Sequence, residues 1–434
     1  MTKHERCVGG VRSARHLRRG LAGVLQCAAV RIPCPCRVNH CSIRSIVRRI
    51  LLRCKAAHDF ARTGPFHRSQ AAAQACLAVR CLRRPRIQAT FPESTLAYEL
   101  TTSMMRYMFV EFGETIVNDY THLMREPFAM HGRLILQSNC RKHNTAPEML
   151  LANGMEHTWL RDPETKEHRI VVIHYHGGGY CISDPLQDVE LANQTHSILK
   201  QILKEQYQLE VSVDVLLVNY RKAPEYLYPT ALNDCFDMYK YVLKHESVAP
   251  AHVVFSGDSA GAEMSMTNCM RLRKESPELQ PAAALCYSPM VDFSEVDSDD
   301  KSPYCILVTN FADRCIATYL RSVTDPEKRQ LASAINQSLR DLPPIFLQWG
   351  KLEGFHEQGL RFKVKADAEG VTNMELDILK NMVHDPVMLP TAVSPAAEKG
   401  IRNGCAFAAK HLANALRLRS VDPEPEPHNI NNMW

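Results

Sequence analysis

Short apolar runs recur along the chain from residue 169. They are 169-RIVVIHYH-176, 213-VDVLLVNY-220, 252-HVVFSG-257, 282-AAALCYSP-289, 344-PIFLQWG-350 and 375-ELDILKN-381. Most are aliphatic or β-branched and soon meet glycine or proline, the pattern of strands buried on both faces. Helical stretches lie between them, such as 227-LYPTALNDCFDMYKYVLKHE-246 and 402-RNGCAFAAKHLANALRL-418. Upstream, 98-YELTTSMMRYMFVEFGETIVNDYTHLM-124 has helical spacing and predicts one or two amphipathic helices. Strand–helix alternation predicts an α/β sheet with helices on both faces. In such sheets chemistry gathers at the carboxyl ends of the strands.

Composition changes this picture at one end only. The 434 residues carry a net charge of +5, but the charge is unevenly spread. Residues 1–92 hold nineteen Lys or Arg against two acids, Glu5 and Asp59, and the rest holds thirty-three against forty-five. The chain therefore reads as a mildly acidic body, 93–418, with a basic leader, 1–92, and a polar Pro/Glu-rich tail, 419–434, expected to be disordered. Eight of the sixteen cysteines fall in the leader. The other eight are scattered singly, as buried free thiols of a reducing compartment would be. The cluster 34-CPCRVNHC-41 lacks the second half of a usual zinc site, so no metal is expected. No run of 18 apolar residues predicts a transmembrane helix. The expected compartment is the cytosol, with a mitochondrial transit role for the Arg-rich leader as the alternative. No aromatic interleaving of the basic residues points to nucleic acid.

Two motifs carry the chemistry. In 252-HVVFSGDSAGAEMSMTNCMRLRKES-276 a strand runs through Gly257-Asp258-Ser259-Ala260-Gly261 into a helix. This G-x-S-x-G context is that of a nucleophile elbow, where a sharp turn lifts the Ser259 hydroxyl above the sheet. The glycines remove side chains that would clash across the turn, and the following helix points its N–H groups at the reaction centre. In 172-VIHYHGGGYCIS-183 three glycines follow a strand. An attacked carbonyl becomes an oxyanion and needs backbone donors. Gly177, Gly178 and Gly179 are expected to wall that hole, with Gly178 and Gly179 the preferred donors and the Ala260 N–H another. His176 and Asp258 are expected to support the loop, His176 without titrating. A serine also needs a base and an orienting acid, in the chain order serine, acid, histidine. Glu353 and His384 each sit just past a late strand and fill those roles. His356, Glu357 and Asp385 are their rivals.

With these residues in hand, the chain resembles the hormone-sensitive-lipase-like group of α/β-hydrolases, which includes bacterial carboxylesterases and arylacetamide deacetylase. His176–Gly179 matches the group's H-G-G-G motif and Gly257–Gly261 its G-D-S-A-G motif. The segment 220-YRKAPEYLYPTALND-234 looks like its Y-R-x-A-P-E segment, and Gly350 and Glu353 match G-x-x-(D/E). Asn381 stands where a glycine commonly precedes the histidine. The match covers roughly 98–418. The resemblance implies an α/β-hydrolase fold: a mostly parallel eight-stranded sheet, helices on both faces, and a helical cap, with 98–124 and 293–320 as cap candidates. It implies a serine carboxylic-ester hydrolase, without cofactor or metal, acting on small to medium acyl esters. The same triad would serve an amidase, deacetylase or formamidase. A ligand receptor on a hydrolase fold is the alternative outside enzymes. A homodimer would suit the architecture, although no residue demands one.

Overall fold

The computed structural model describes residues 89–91, 94–294 and 304–421. The expected leader, apart from 89–91, lies outside the described residues. So do the tail beyond Val421 and 295–303 of the second cap segment.

All six apolar runs are strands: β3 (His168–Tyr175), β4 (Val211–Val218), β5 (Val253–Asp258), β6 (Ala283–Tyr287), β7 (Ile345–Gly350) and β8 (Met374–Leu379). Two further strands precede them, β1 (Ala146–Ala152) and β2 (Met155–Arg161). The eight form one sheet in the order β1-β2-β4-β3-β5-β6-β7-β8. The β1–β2 and β2–β4 pairs are antiparallel and the other pairs are parallel. This is the expected eight-stranded, mostly parallel sheet.

Helices cover both faces because both faces of the inner strands are apolar. On one side Val171, Ile173, Tyr175, Phe255 and Trp349 belong to a core shared with α4 (Thr230–His245), α5 (Ala260–Glu275) and α8 (His356–Ala368). On the other, Ile170, Val172, Val213, Val215 and Phe346 pack with α3 (Val189–Tyr207) and α9 (Pro395–Val421). Each such side chain contributes roughly 1.5–3 kcal/mol when fully buried. The last helix runs three residues past the expected boundary at 418.

The segment expected as one or two helices over 98–124 is two, and the second runs on well beyond it: α1 (Leu96–Asp119) and α2 (Thr121–His143). Between β6 and β7 lie α6 (Thr309–Tyr319) and the short α7 (Pro326–Leu331). α1 and α6 pack against each other, with Phe109 and Phe311 stacked at 4.2 Å between centroids. Gly113 makes that approach possible, since a Cβ there would stand 3.0 Å from the Phe311 Cβ.

Register brings the chemistry to one edge. Tyr175 lies opposite Gly257, Asp258 opposite Tyr287, and Tyr287 opposite Gln348. The loops that follow β3, β5, β6, β7 and β8 therefore leave the sheet side by side.

Candidate active site

Ser259 sits between β5 and α5 with φ +50° and ψ −114°, a strained conformation for a residue with a side chain. Tight backbone packing holds it there. A Cβ on Gly257 would stand 2.4 Å from the Gly261 backbone, and one on Gly261 only 1.8 Å from the Tyr175 carbonyl oxygen. The Ser259 N–H donates to the Tyr287 carbonyl at 2.8 Å.

The His384 Nε2 lies 2.9 Å from the Ser259 Oγ, and the imidazole is nearly enclosed. Its Nδ1 faces Glu353 Oε1 at 3.7 Å, longer than a hydrogen bond. These two atoms have no other partner among the described residues. The other Glu353 oxygen, Oε2, accepts from the Ser288 hydroxyl at 2.7 Å and from the Gly350 N–H at 3.0 Å. Serine, histidine and glutamate are thus brought together as the chain order required. His356 and Glu357 pair with each other at 3.2 Å at the start of α8 and do not line the cavity above Ser259.

The glycine loop divides its labour differently from expectation. Gly178 and Gly179 line the cavity beside Ser259 and Ala260, with φ of +109° and +59°. Gly177 does not line it. Its N–H donates to Asp258 Oδ1 at 2.8 Å and so is already engaged. A Cβ on Gly177 would lie 2.2 Å from Asp258 Oδ2, so the carboxylate needs a glycine there. His176 is fully buried and stacked 4.2 Å from Tyr220. Its Nδ1 is 2.7 Å from the Gly177 carbonyl. Burial, helped by the Lys222 charge, holds its pKa well below the usual histidine range. It is neutral, and Nδ1 is the donor in that contact.

Several groups around these loops escaped the sequence reading. Ser288 links Glu353 to the Asp385 N–H, which it accepts at 3.0 Å. The Tyr98 hydroxyl of α1 accepts the Val383 N–H at 2.9 Å, steadying the loop before His384. The Tyr180 hydroxyl donates to buried Glu263 at 3.0 Å, and Thr267 donates to the same carboxyl. Burial pushes the Glu263 pKa up to about 7. Behind Asp258 lies His174, whose Nε2 is 3.2 Å from Asp188 Oδ2 and 3.4 Å from Asp258 Oδ1. Burial alone would lower the His174 pKa, but hydrogen bonds and charge from Asp188 and Asp258 raise it to about 9. These three side chains converge closely enough to resemble a cation site in outline. Burial and the Asp258 charge in turn push the Asp188 pKa up to about 7.

Above Ser259 opens a cavity. Met105 and Phe109 of α1, Ile306 and Leu307, and Phe311 and Ile316 of α6 give it an apolar lining. The eight cysteines of the described body are free and buried, as expected of scattered thiols.

Comparison with known proteins agrees with this fold. A family model described as alpha/beta hydrolase fold matches residues 172–388, half of the chain. An acetyl-hydrolase of Streptomyces hygroscopicus is 31% identical over 202 residues, covering 46% of this chain and 62% of that protein. The carboxylesterase NlhH of Mycobacterium tuberculosis is 25% identical over 290 residues, covering 62% of this chain and 87% of that one. The chain thus spans about three fifths of the acetyl-hydrolase it matches. A solved esterase from the bacterial hormone-sensitive lipase family superposes with a TM-score of 0.56 at 20% identity, over 80% of this chain and all of that one.

Proposed function

This chain belongs to the alpha/beta hydrolase fold family, and on that premise we propose that it is a serine carboxylic-ester hydrolase. The observation that carries the reading is the 2.9 Å contact between Ser259 Oγ and His384 Nε2 at the floor of an apolar cavity. His384 takes the serine proton as Ser259 attacks the ester carbonyl. The N–H groups of Gly178, Gly179 and Ala260 stabilise the oxyanion. His384 returns the proton to the leaving alcohol, leaving an acyl-enzyme. Water deprotonated by His384 then releases the acid. Glu353 orients the imidazole and stabilises its cation. The 3.7 Å separation is of the kind that tightens when substrate is bound.

The substrate class follows from the cavity. Its apolar lining favours esters of small to medium acyl groups, and α1 and α6 serve as the cap that excludes water over the serine. No helix of the described residues is long and apolar enough to cross a membrane. Buried free thiols suit a reducing compartment, and the cytosol is our reading of it.

The test is covalent labelling with a fluorophosphonate, read by intact mass and followed by p-nitrophenyl esters of increasing chain length. The wild type is expected to take one adduct and Ser259→Ala none, with kcat of that variant lower by about 10⁵-fold or more. His384→Ala is expected to label far more slowly. A folded wild type that neither labels nor cleaves any ester would overturn the proposal.

A further inference from the structure

Tyr180 follows directly on Gly178 and Gly179 and continues their positive φ, at +63°. That conformation is costly for a bulky side chain and persists only where the surroundings impose it. Three contacts impose it here. The Tyr180 carbonyl accepts the Ala223 N–H at 2.9 Å. Its ring lies parallel to that of Tyr319 at the end of α6, with 3.9 Å between centroids. Its hydroxyl donates to Glu263 Oε2 at 3.0 Å. Glu263 stands on the first turn of α5, and its own N–H donates to the Ser259 carbonyl at 3.2 Å. The nucleophile turn and the glycine loop therefore meet through one pair of side chains.

The acid in that pair is costly to keep. Glu263 is buried, and among the described residues no cation offsets its charge: burial, Thr267 and Tyr180 are what act on it. What a carboxyl supplies there, and an apolar residue would not, is two acceptor oxygens. Oε1 takes the hydroxyl of Thr267, one turn further along α5, which fixes the carboxyl and leaves Oε2 for Tyr180. A carboxyl keeps an acceptor for Tyr180 whether or not it carries a proton.

We propose that Glu263 and Tyr180 form a positioning pair, in which Glu263 holds the tyrosine hydroxyl to the helix that starts at the nucleophile and so places the Gly178 and Gly179 N–H groups relative to Ser259. The proposal rests on the esterase reading of the same site. Ser259 itself is held by other contacts, through its N–H to Tyr287 and its hydroxyl to His384. Loss of the pair should therefore displace the oxyanion donors and leave the serine and its base in place. Such donors act most strongly where charge develops, so the loss belongs to kcat and not to KM.

The test compares wild type, Tyr180→Phe, Glu263→Gln, Glu263→Ala and the double variant Tyr180→Phe/Glu263→Ala on p-nitrophenyl butyrate. Alongside runs inhibition by an alkyl trifluoromethyl ketone. The Ser259 oxygen adds to its carbonyl carbon, the serine proton passes to His384, and the former carbonyl oxygen becomes the anion that the loop must stabilise. Tyr180→Phe and Glu263→Ala are each expected to lose about tenfold in kcat with KM within about twofold, and the ketone's Ki to rise by about the same tenfold. Both changes break one bond, so the double variant is expected to lie within about twofold of Glu263→Ala alone. Glutamine keeps an acceptor for Tyr180, and Glu263→Gln is expected to retain kcat to within about threefold of wild type.

An unaltered kcat in Tyr180→Phe would overturn the pair. So would a loss confined to KM, a kcat loss with an unmoved Ki, losses that multiply in the double variant, or glutamine no better than alanine. Should Glu263→Ala not fold, Tyr180→Phe, which keeps the ring and its stacking, decides alone through kcat and Ki. Failure of the esterase reading looks different: the wild type itself would take up no fluorophosphonate and cleave no ester, whereas failure of the pair leaves an active wild type.

Discussion

Ser288 stands just past β6 with φ +49°, and its hydroxyl serves two partners. It donates to Glu353 Oε2 and accepts the Asp385 N–H. One hydroxyl therefore fixes the acid against the loop that carries the base. Ser288→Ala would leave that carboxylate oxygen the Gly350 N–H alone and leave the buried Asp385 N–H unmet. We expect kcat to fall about tenfold with KM little changed, because small misplacements of catalytic groups are costly. Steady-state kinetics on a p-nitrophenyl ester checks this, and an unaltered kcat would exclude the role. The residue was not legible beforehand, since a serine after a strand is commonplace. Only the pairing of Tyr287 with Gln348 sets it beside the Glu353 loop. Ser259 and the glycine loop were legible because their reasons are local: a tight turn and a close backbone approach leave a signature in consecutive residues. His174 with Asp188, and Glu263 with Tyr180, are long-range groupings, and a buried acid looks like any other until its neighbours are known. The same limit explains Gly177, whose N–H could be assigned to Asp258 only once the two loops were side by side.

At the scale of elements, short apolar runs closed by glycine or proline marked the inner parallel strands, which are buried on both faces. The β1–β2 hairpin was missed although its turn is written in the chain as Asn153-Gly154, with φ of +52° and +74°. That dipeptide is a strong hairpin signal. The β1 strand hid it, since at the sheet edge Met149 and Leu151 are exposed and the apolar alternation marks no core. The continuation of α2 was hidden by Pro127 and Gly132. Gly132 is required by packing: a Cβ there would stand 2.2 Å from the Leu186 carbonyl oxygen. The element with most control over substrate is α6, which faces the cavity through Phe311, Ala312, Cys315 and Ile316. Phe311→Ala removes a buried ring that stacks on Phe109. It is expected to cost about 3 kcal/mol of stability. The same change enlarges the cavity above the serine, so the preferred acyl chain should lengthen. A chain-length series against wild type reads this directly, and an unshifted optimum would remove α6 from the acyl pocket.

For the molecule as a whole, stability and chemistry are set at different ends of the sheet. The reacting loops leave the carboxyl ends of the strands. Towards the amino ends, Asp214 of β4 accepts from Arg169 at 2.7 and 2.8 Å, from Arg161 at 3.3 Å and from the Asp162 N–H at 2.8 Å. Glu246, at the end of α4, binds the same two arginines at 2.7 to 3.1 Å. This network joins the two antiparallel strands, through β2, to the parallel part of the sheet, through β3 and β4. Asp214 is nearly enclosed and both arginines are partly solvated. Removing the one enclosed charge leaves two cations facing Glu246 and, at Arg161, the more exposed Glu148. Asp214→Asn should therefore cost about 2–4 kcal/mol, with solvent screening of the arginines holding it to the lower part of the range for buried pairs. It should leave the fluorophosphonate labelling rate at 25 °C unaltered, because several buried strand residues separate Asp214 from the loop that follows β4 and sites so far apart act independently. Thermal unfolding beside labelling measures both. A variant that lost labelling in step with Tm, at temperatures where it is still folded, would show that the sheet transmits strain from one end to the other. The serine's geometry would then depend on the whole sheet and not on the loops alone.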